Sequence, residues 1–238
     1  MKALILNSGL GSRMGVLTSE HPKCMTEISG SETIISRQLK LIADIGINEV
    51  VMTTGAFDDV LVDYCRILNI PVHITFVHNP IYKETTYIYS IYCARKFLDD
   101  DIVLMHGDLV FEASVLEDML AFEHSCMKVS STLALPEKDF KAVVHNGRVE
   151  KVGIEFFTNA MEAQALYKLN KEDWRIWLEE IISFCESNNR KCYAENAFNR
   201  ISERCAIYAY DVKNKLCSEI DTAEDLKLVS DKLNEIEN

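Results

Sequence analysis

Two glycines, an arginine and a Pro-Lys pair stand close together in "LNSGLGSRMGVLTSEHPKCM", residues 6–25. Gly9 and Gly11 would let backbone N–H groups approach phosphate oxygens closely. Arg13 could chelate two such oxygens, and Lys23, set by Pro22, could add a point charge. The stretch is therefore expected to be a phosphate cradle. A Walker A loop needs Lys and then Ser or Thr after its last glycine, but Gly15 is followed by Val16. A dinucleotide-binding turn needs a third glycine where Met14 stands, and an acidic residue at the end of the second strand. That strand ends in Thr53-Thr54-Gly55 instead. Neither of the commoner glycine-rich loops fits.

Carboxylates supply a second cluster. Asp108 ends the apolar run in "LMHGDLVF", and Glu219 and Asp221 lie two apart in "CSEIDTAEDLKLV". On an extended segment that spacing turns both carboxylates to one side. Mg²⁺ takes one or two carboxylates together with phosphates and water, so this set suits it. The plainer reading, acids complementing a helix N-terminus, suits Glu224 and Asp225 better. The eight cysteines show no C-x-x-C and no metal-ligand spacing, so they are expected to be reduced thiols without zinc.

These residues need a scaffold. "KALILN" (2–7) is expected as a buried strand, 33–46 as a helix closed by Gly46, and "EVVMTTG" as a second strand. "DDVLVDYCRIL" then reads as a helix, "VHITFVHN" as a strand, "YIYSIYCARKFL" as a helix and "DIVLMHGD" as a fourth strand. This alternation predicts an α/β fold, a Rossmann-like, mostly parallel sheet flanked by helices, with ligands at the loops after residues 7, 54, 78 and 106. In the second half, "VSSTLAL" is expected as a strand and 141–153 as a hairpin turning at Asn146-Gly147. Helices are expected at 171–187 and 194–202, a strand in "RCAIYAYDV", and a terminal helix capped by Thr222 with Asp225. We read one domain with a core of 1–135 and 206–238, and an inserted α+β lid at about 136–205.

The opening stretch matches, at nearly every signature position, G-x-G-x-R-(L/M)-x-x-L-T-x-x-x-P-K, and so resembles the sugar-phosphate nucleotidylyltransferases. Gly107-Asp108 and Glu219-Ile220-Asp221 match the positions of that family's metal-binding acids. The resemblance implies a nucleotide-diphospho-sugar transferase-like fold and a nucleoside triphosphate donor. It places Leu6, Asn7, Ser8, Gly9, Gly11 and Ser12 at the nucleotide, Arg13 and Lys23 in catalysis, and Mg²⁺ on Asp108, Asp221 and Glu219. Within the family, the short chain, "EIDTAEDL" and "NPIYKETTYIYSIYCA" look most like the small cytidylyltransferases that activate 2-aminoethylphosphonate or phosphocholine. That likeness adds Asn79 and Thr86 to the nucleotide site. Members often read N-x-x-Y-x-x-x-N-N-x-x-S there; this chain keeps Asn79, Tyr82 and Ser90 but has Thr86-Tyr87 for the paired asparagines.

A small zwitterionic acceptor needs cations for its phosphonate or phosphate, which Lys138 and Lys141 could provide. Asp139, Glu195, Tyr193 and Tyr167 could meet its ammonium group. Such an acceptor is already ionised, so no general base is required and His106 is given a structural role. Trp174 and Trp177, three apart on a helix, are assigned to packing. The expected partners are CTP and the acceptor. Two other possibilities stay open, a sugar-1-phosphate nucleotidyltransferase using UTP or dTTP and a noncatalytic nucleotide-binding regulatory domain. The net charge of −12 argues against nonspecific binding to nucleic acid or anionic membrane. The apolar runs fall far short of the ~20 residues of a membrane span, and a cytoplasmic protein is expected. A homodimer, or fusion to a downstream enzyme domain, is compatible with the helical pattern that continues to the last residues.

Overall fold

The computed structural model describes residues 1–9 and 11–237, except the side chains of Ser12, Arg13 and Val16. The chain runs through β1 (Lys2–Asn7), two 3₁₀ segments at Ser12–Thr18 and Lys23–Met25, β2 (Glu27–Ser29), β3 (Glu32–Thr33) and α1 (Ile34–Asp44). It continues with β4 (Glu49–Thr54), α2 (Asp58–Ile67), β5 (His73–His78), α3 (Tyr87–Ala94), β6 (Ile102–His106), β7 (Leu109–Phe111) and α4 (Ala113–Ala121). The second half holds β8 (Cys126–Ser130), β9 (Lys141–His145), β10 (Arg148–Gly153), β11 (Ala160–Leu169), α5 (Lys171–Glu186) and α6 (Ala194–Ile201). It closes with β12 (Tyr208–Asp211), β13 (Cys217–Glu219) and α7 (Ala223–Glu237).

Nine strands form one sheet in the order β5-β4-β1-β6-β11-β8-β12-β10-β9. The expected parallel arrangement is the half made of β5, β4, β1 and β6. Beyond β6 the sheet turns antiparallel through β11, with β12 alone parallel to its neighbour β8. Strand periodicity makes the sheet two-sided. Leu4, Leu6, Val51 and Leu104 face α3, α5 and α6, in a core that includes Ile88, Trp177 and Phe198. Ala3, Ile5, Met52 and Met105 face α1, α2 and α4, beside Leu39, Leu61 and Leu116. Both faces are thus covered, as an α/β fold requires.

Several local expectations hold for stated reasons. Thr33 and Ser36 form a reciprocal capping box at the head of α1, and Gly46, at φ 81°, follows its end. Asn146 and Gly147 take φ 50° and 78°, the left-handed pair that a tight hairpin between β9 and β10 demands. At α7, Thr222 Oγ1 accepts from the Asp225 N–H at 3.1 Å while Asp225 accepts from the Thr222 N–H at 2.8 Å. The tryptophans of α5 are buried, their indoles donating to Leu98 O and Ala194 O, each at 2.9 Å.

Two expectations need correction. The strand read at "VSSTLAL" ends at Ser130, because Ser130 Oγ accepts from the Thr132 and Leu133 N–H groups and turns the chain. The ten-residue strand β11 had no counterpart in the sequence pattern, yet it lies between β6 and β8. Residues 136–205 are accordingly woven into the main sheet through β9, β10 and β11. No helix among the described residues is long and apolar enough to cross a membrane.

Candidate functional site

The glycine loop leaves the C-terminal end of β1 and returns through Lys23–Met25. Thr18 Oγ1 donates to Gly11 O at 3.0 Å and pins the returning arm to the outgoing one. Gly11 has φ 63°, and a Cβ there would sit 3.3 Å from Lys23 Cβ. Only glycine serves both the backbone twist and the close approach. Ser8 Oγ lies 2.6 Å from Ser90 Oγ, which anchors the loop to α3.

Asp108 is set by the turn between β6 and β7. The buried Gln38 amide of α1 donates to His106 O at 2.9 Å and Leu109 O at 2.8 Å, clamping that turn from below. Gly107 N–H donates to Leu6 O at 3.1 Å, and a Cβ at Gly107 would fall 1.5 Å from Asn7 Oδ1. The Asn7 side chain therefore lies directly over Gly107. The short ladder of β13 on β7 sets Glu219 opposite Leu109, and Ile220 N–H donates to Asp108 O at 3.0 Å.

Lys23, Asp108 and Asp221 converge. Lys23 Nζ lies 2.6 Å from Asp108 Oδ2 and 2.5 Å from Asp221 Oδ1, with side-chain exposures of 12%, 23% and 14%. Burial pulls the Lys23 ammonium down, but the two carboxylates outweigh it and the net shift is upward. Burial likewise pushes the Asp108 carboxyl up, and the charges of Lys23 and His106 outweigh that and hold it below the ordinary aspartate value. His106 Nδ1 stands 3.0 Å from Glu219 Oε1. Burial opposes the imidazolium, yet Glu219, then Asp108 and Glu195, push His106 up to about 9. Glu219 is itself raised, by burial first and then by the Asp108 charge.

Three cavities meet at Asp108. The first, about 260 Å³, is lined by Leu6, Asn7, Gly9, Gly11, Lys23 and Asp221 among others. The second, about 350 Å³, shares Leu6 and Gly9 and adds Ser8, Thr86, Tyr87 and Tyr193. The third, about 380 Å³, holds Lys138, Asp139, Phe140 and Glu219, and shares Tyr87, His106 and Tyr193 with the second. Ligand-atom positions of His106, Asp108 and Glu219 lie within 4.8 Å of one another, as do those of Asp139, Glu219 and Asp221. Asp108 Oδ1 is buried and has no hydrogen-bond partner among the described residues, so an oxygen of this carboxylate set remains to be satisfied. Hard carboxylate oxygens beside a phosphate-shaped loop fit a divalent cation such as Mg²⁺. Asn7 Nδ2 and His106 Nε2 are similarly buried without partners.

Residues 3–145 match the model of the MobA-like NTP transferase domain. The chain belongs to that family. This NTP transferase domain is 27% identical over 217 residues to the CTP:phosphoglutamine cytidylyltransferase of Campylobacter jejuni, covering 82% of each chain. It is 36% identical over 121 residues to the CMP-5'-(3-aminopropyl)phosphonate synthase of Streptomyces rubellomurinus, a match of 51% of this chain that spans only 19% of that longer protein. The solved CTP:phosphocholine cytidylyltransferase of Streptococcus pneumoniae superposes with a TM-score of 0.77 at 18% identity, over 98% of both chains. At that identity the likeness is one of fold.

Most residues expected at the nucleotide of this NTP transferase domain line the first two cavities, namely Leu6, Asn7, Ser8, Gly9, Gly11 and Thr86, and Lys23, expected in catalysis, lines the first. The side chains of Ser12 and Arg13 lie outside the described residues. Asn79 is different. It is 1% exposed, its amide donates to Thr85 Oγ1 and Ser90 Oγ, and its oxygen accepts from the Ile81 N–H. It holds the loop after β5 together from within and lines none of the three cavities.

On the acceptor side, Lys138, Asp139 and Tyr193 line the third cavity, and Lys141 does not. Lys141 is buried, with Nζ 2.5 Å from Pro136 O and 4.1 Å from the Phe157 ring centroid. Glu195 and Tyr167 also sit behind the cavity wall. Glu195 is 1% exposed, and its two oxygens accept the hydroxyls of Tyr87 and Tyr167. Tyr87 enters the sequence analysis only as a departure from the family pattern, with no role, and Gln38 escaped the sequence reasoning; a polar residue inside the apolar stripe of α1 was the available signal for Gln38.

Proposed function

We propose that this NTP transferase domain transfers CMP from CTP to a small phosphonate or phosphate, releasing pyrophosphate. 2-Aminoethylphosphonate is the favoured acceptor and phosphocholine the next. The observation that carries the proposal is the Lys23 ammonium between Asp108 and Asp221, where the three cavities meet. The CTP donor is supported by the activities of the Campylobacter and Streptomyces relatives.

The triphosphate lies along Gly9, Gly11 and Asn7, and Arg13 is assigned to the same phosphates by its place in the motif. The acceptor enters the cavity of Lys138, Asp139 and Tyr193, so that residues 136–205 act as the acceptor side of the cleft. An acceptor oxygen attacks the α-phosphorus in line and forms the new P–O bond. The bond to the oxygen bridging α and β breaks, and pyrophosphate leaves with the electron pair. The acceptor oxygen is already ionised, so the protein's work is positioning and charge neutralisation. Lys23 supplies a cation to the reacting phosphates. Asp108, Asp221 and Glu219 would hold Mg²⁺, which when bound adds charge stabilisation on the same oxygens.

Pyrophosphate release, measured with CTP, UTP, dTTP, ATP and GTP against aminoalkylphosphonates, phosphocholine and sugar 1-phosphates, tests the proposal. Release with CTP that depends on an aminoalkylphosphonate or phosphocholine is expected. Release that depends only on a sugar 1-phosphate with UTP or dTTP would overturn it.

A further inference from the structure

Tyr87 and Tyr193 line both the second and the third cavity. Tyr87 is the first residue of α3. Its hydroxyl is engaged by Glu195, a residue that lines neither cavity. Glu195, in the first turn of α6, is fixed in turn by the Tyr167 hydroxyl at 2.9 Å. Thr86 secures the same stretch of chain, its N–H donating to Arg190 O at 3.0 Å and its hydroxyl to Cys192 O. Two adjacent residues thus tie the head of α3 to α6 and its approach. The Tyr87 ring is also buttressed from the side, by Tyr193 stacked at 5.9 Å and 26° and by His106 edge-on at 4.7 Å and 67°. Phe140 packs against Tyr193 at 5.1 Å.

We infer that Tyr87 is a specificity-determining residue of the acceptor cavity, its ring held by Glu195 as the wall that limits acceptor length. The inference rests on the proposed function, in which that cavity takes the acceptor. The wall cannot recede without leaving the Glu195 carboxylate short of one partner in a buried setting, which is costly. A longer acceptor therefore meets a fixed ring instead of an adaptable side chain. One misfitting methylene at such a wall changes kcat/KM by roughly ten- to two-hundredfold. Tyr87→Leu shortens the wall, and Tyr87→Phe keeps the ring while removing its anchor.

The test is kcat/KM at saturating CTP for aminomethyl-, 2-aminoethyl-, 3-aminopropyl- and 4-aminobutylphosphonate, using the full chain. The native protein should lose about tenfold or more between its best acceptor and the next longer one. In Tyr87→Leu that ratio should shrink to about twofold, with Tyr87→Phe between the two. A ratio is untouched by a general loss of folded protein, so a merely structural role would leave it unchanged. If Tyr87→Leu does not fold, Tyr87→Phe carries the comparison. A native ratio retained in the folded variants, or a native protein indifferent to length, overturns the inference and leaves the proposed function standing. A native protein that transfers CMP to none of these acceptors or to phosphocholine overturns both.

Discussion

Replacing Lys23 by methionine keeps all but the last atom of the side chain's length and removes its charge, leaving Asp108 and Asp221 to face each other. With contacts of 2.6 and 2.5 Å, each ion pair amounts to about 6 kcal/mol of attraction at an effective dielectric of about 20, before desolvation is subtracted. Breaking a buried pair by removing one partner typically costs about 3–5 kcal/mol. These side chains keep 12–23% of their exposure, so screening lowers the expected loss to about 2–3 kcal/mol. Urea denaturation at neutral pH reads this as a lower midpoint with an unchanged slope. The same melts repeated with millimolar MgCl₂ or MnCl₂ separate two accounts of the carboxylates. If they form a cation site, freeing them from Lys23 should make the cation stabilise the variant more than the native protein, since binding to the folded state adds RT ln(1 + [L]/Kd). A variant as stable as the native protein, or an equal cation increment in both, would refute the assignment of these acids.

Two further outcomes follow from other parts of the molecule. Asp211 is penalised by burial but accepts from Ser131 Oγ at 2.6 Å and from the Ser131 and Lys213 N–H groups, and these bonds hold its carboxyl below the ordinary aspartate value. Its contribution to stability is thus present above the unfolded-state aspartate pKa and disappears as the pH falls through the lower folded-state value. Asp211→Asn should flatten that acid limb in pH-dependent melts, and an identical limb would contradict the assignment. A Cβ at Gly55 would fall 2.4 Å from Ser8 O. Gly55→Ala should therefore cost about 1–3 kcal/mol by overpacking and weaken CTP binding in calorimetry. Unchanged melting and affinity would mean that the loop after β4 yields freely.

The parallel half was legible because each of its elements is a local pattern. "KALILN" and the 3.6-period stripe of α1 announce themselves within a dozen residues, as does the Asn146-Gly147 turn in the antiparallel half. The strand β11 stayed hidden because Glu162, Gln164 and Lys168 interrupt its apolar pattern. Those groups are buried, and the chain satisfies them largely from outside the strand: Glu162 meets Lys128 at 2.5 Å, Lys168 caps the carbonyls of Phe122 and His124, and Gln164 then donates to Glu162. Such satisfaction is a tertiary fact with no signature along the chain. The same distinction divides the candidate site. Lys23 and Asp221, 198 positions apart, were legible as motif members, while the ion pair between them became visible only in three dimensions. Lys138 and Lys141 looked interchangeable, yet one lines the third cavity and the other is buried against Pro136 O. Asn79 looked like a ligand by its place in the family motif, but both its amide hydrogens go to Thr85 and Ser90 and its oxygen accepts from the Ile81 N–H.

Phosphorus-31 NMR of the full chain incubated with CTP, MgCl₂ and 2-aminoethylphosphonate, then with phosphocholine in its place, tests the central claim most directly. The account predicts the paired resonances of a new phosphoric anhydride joining CMP to an acceptor, with pyrophosphate formed in equal amount. With Asp108→Asn, its fold checked by circular dichroism, both signals should appear about a thousandfold more slowly. Pyrophosphate formed at the same rate without an acceptor, no anhydride with either acceptor, or an Asp108→Asn variant of native rate would contradict it.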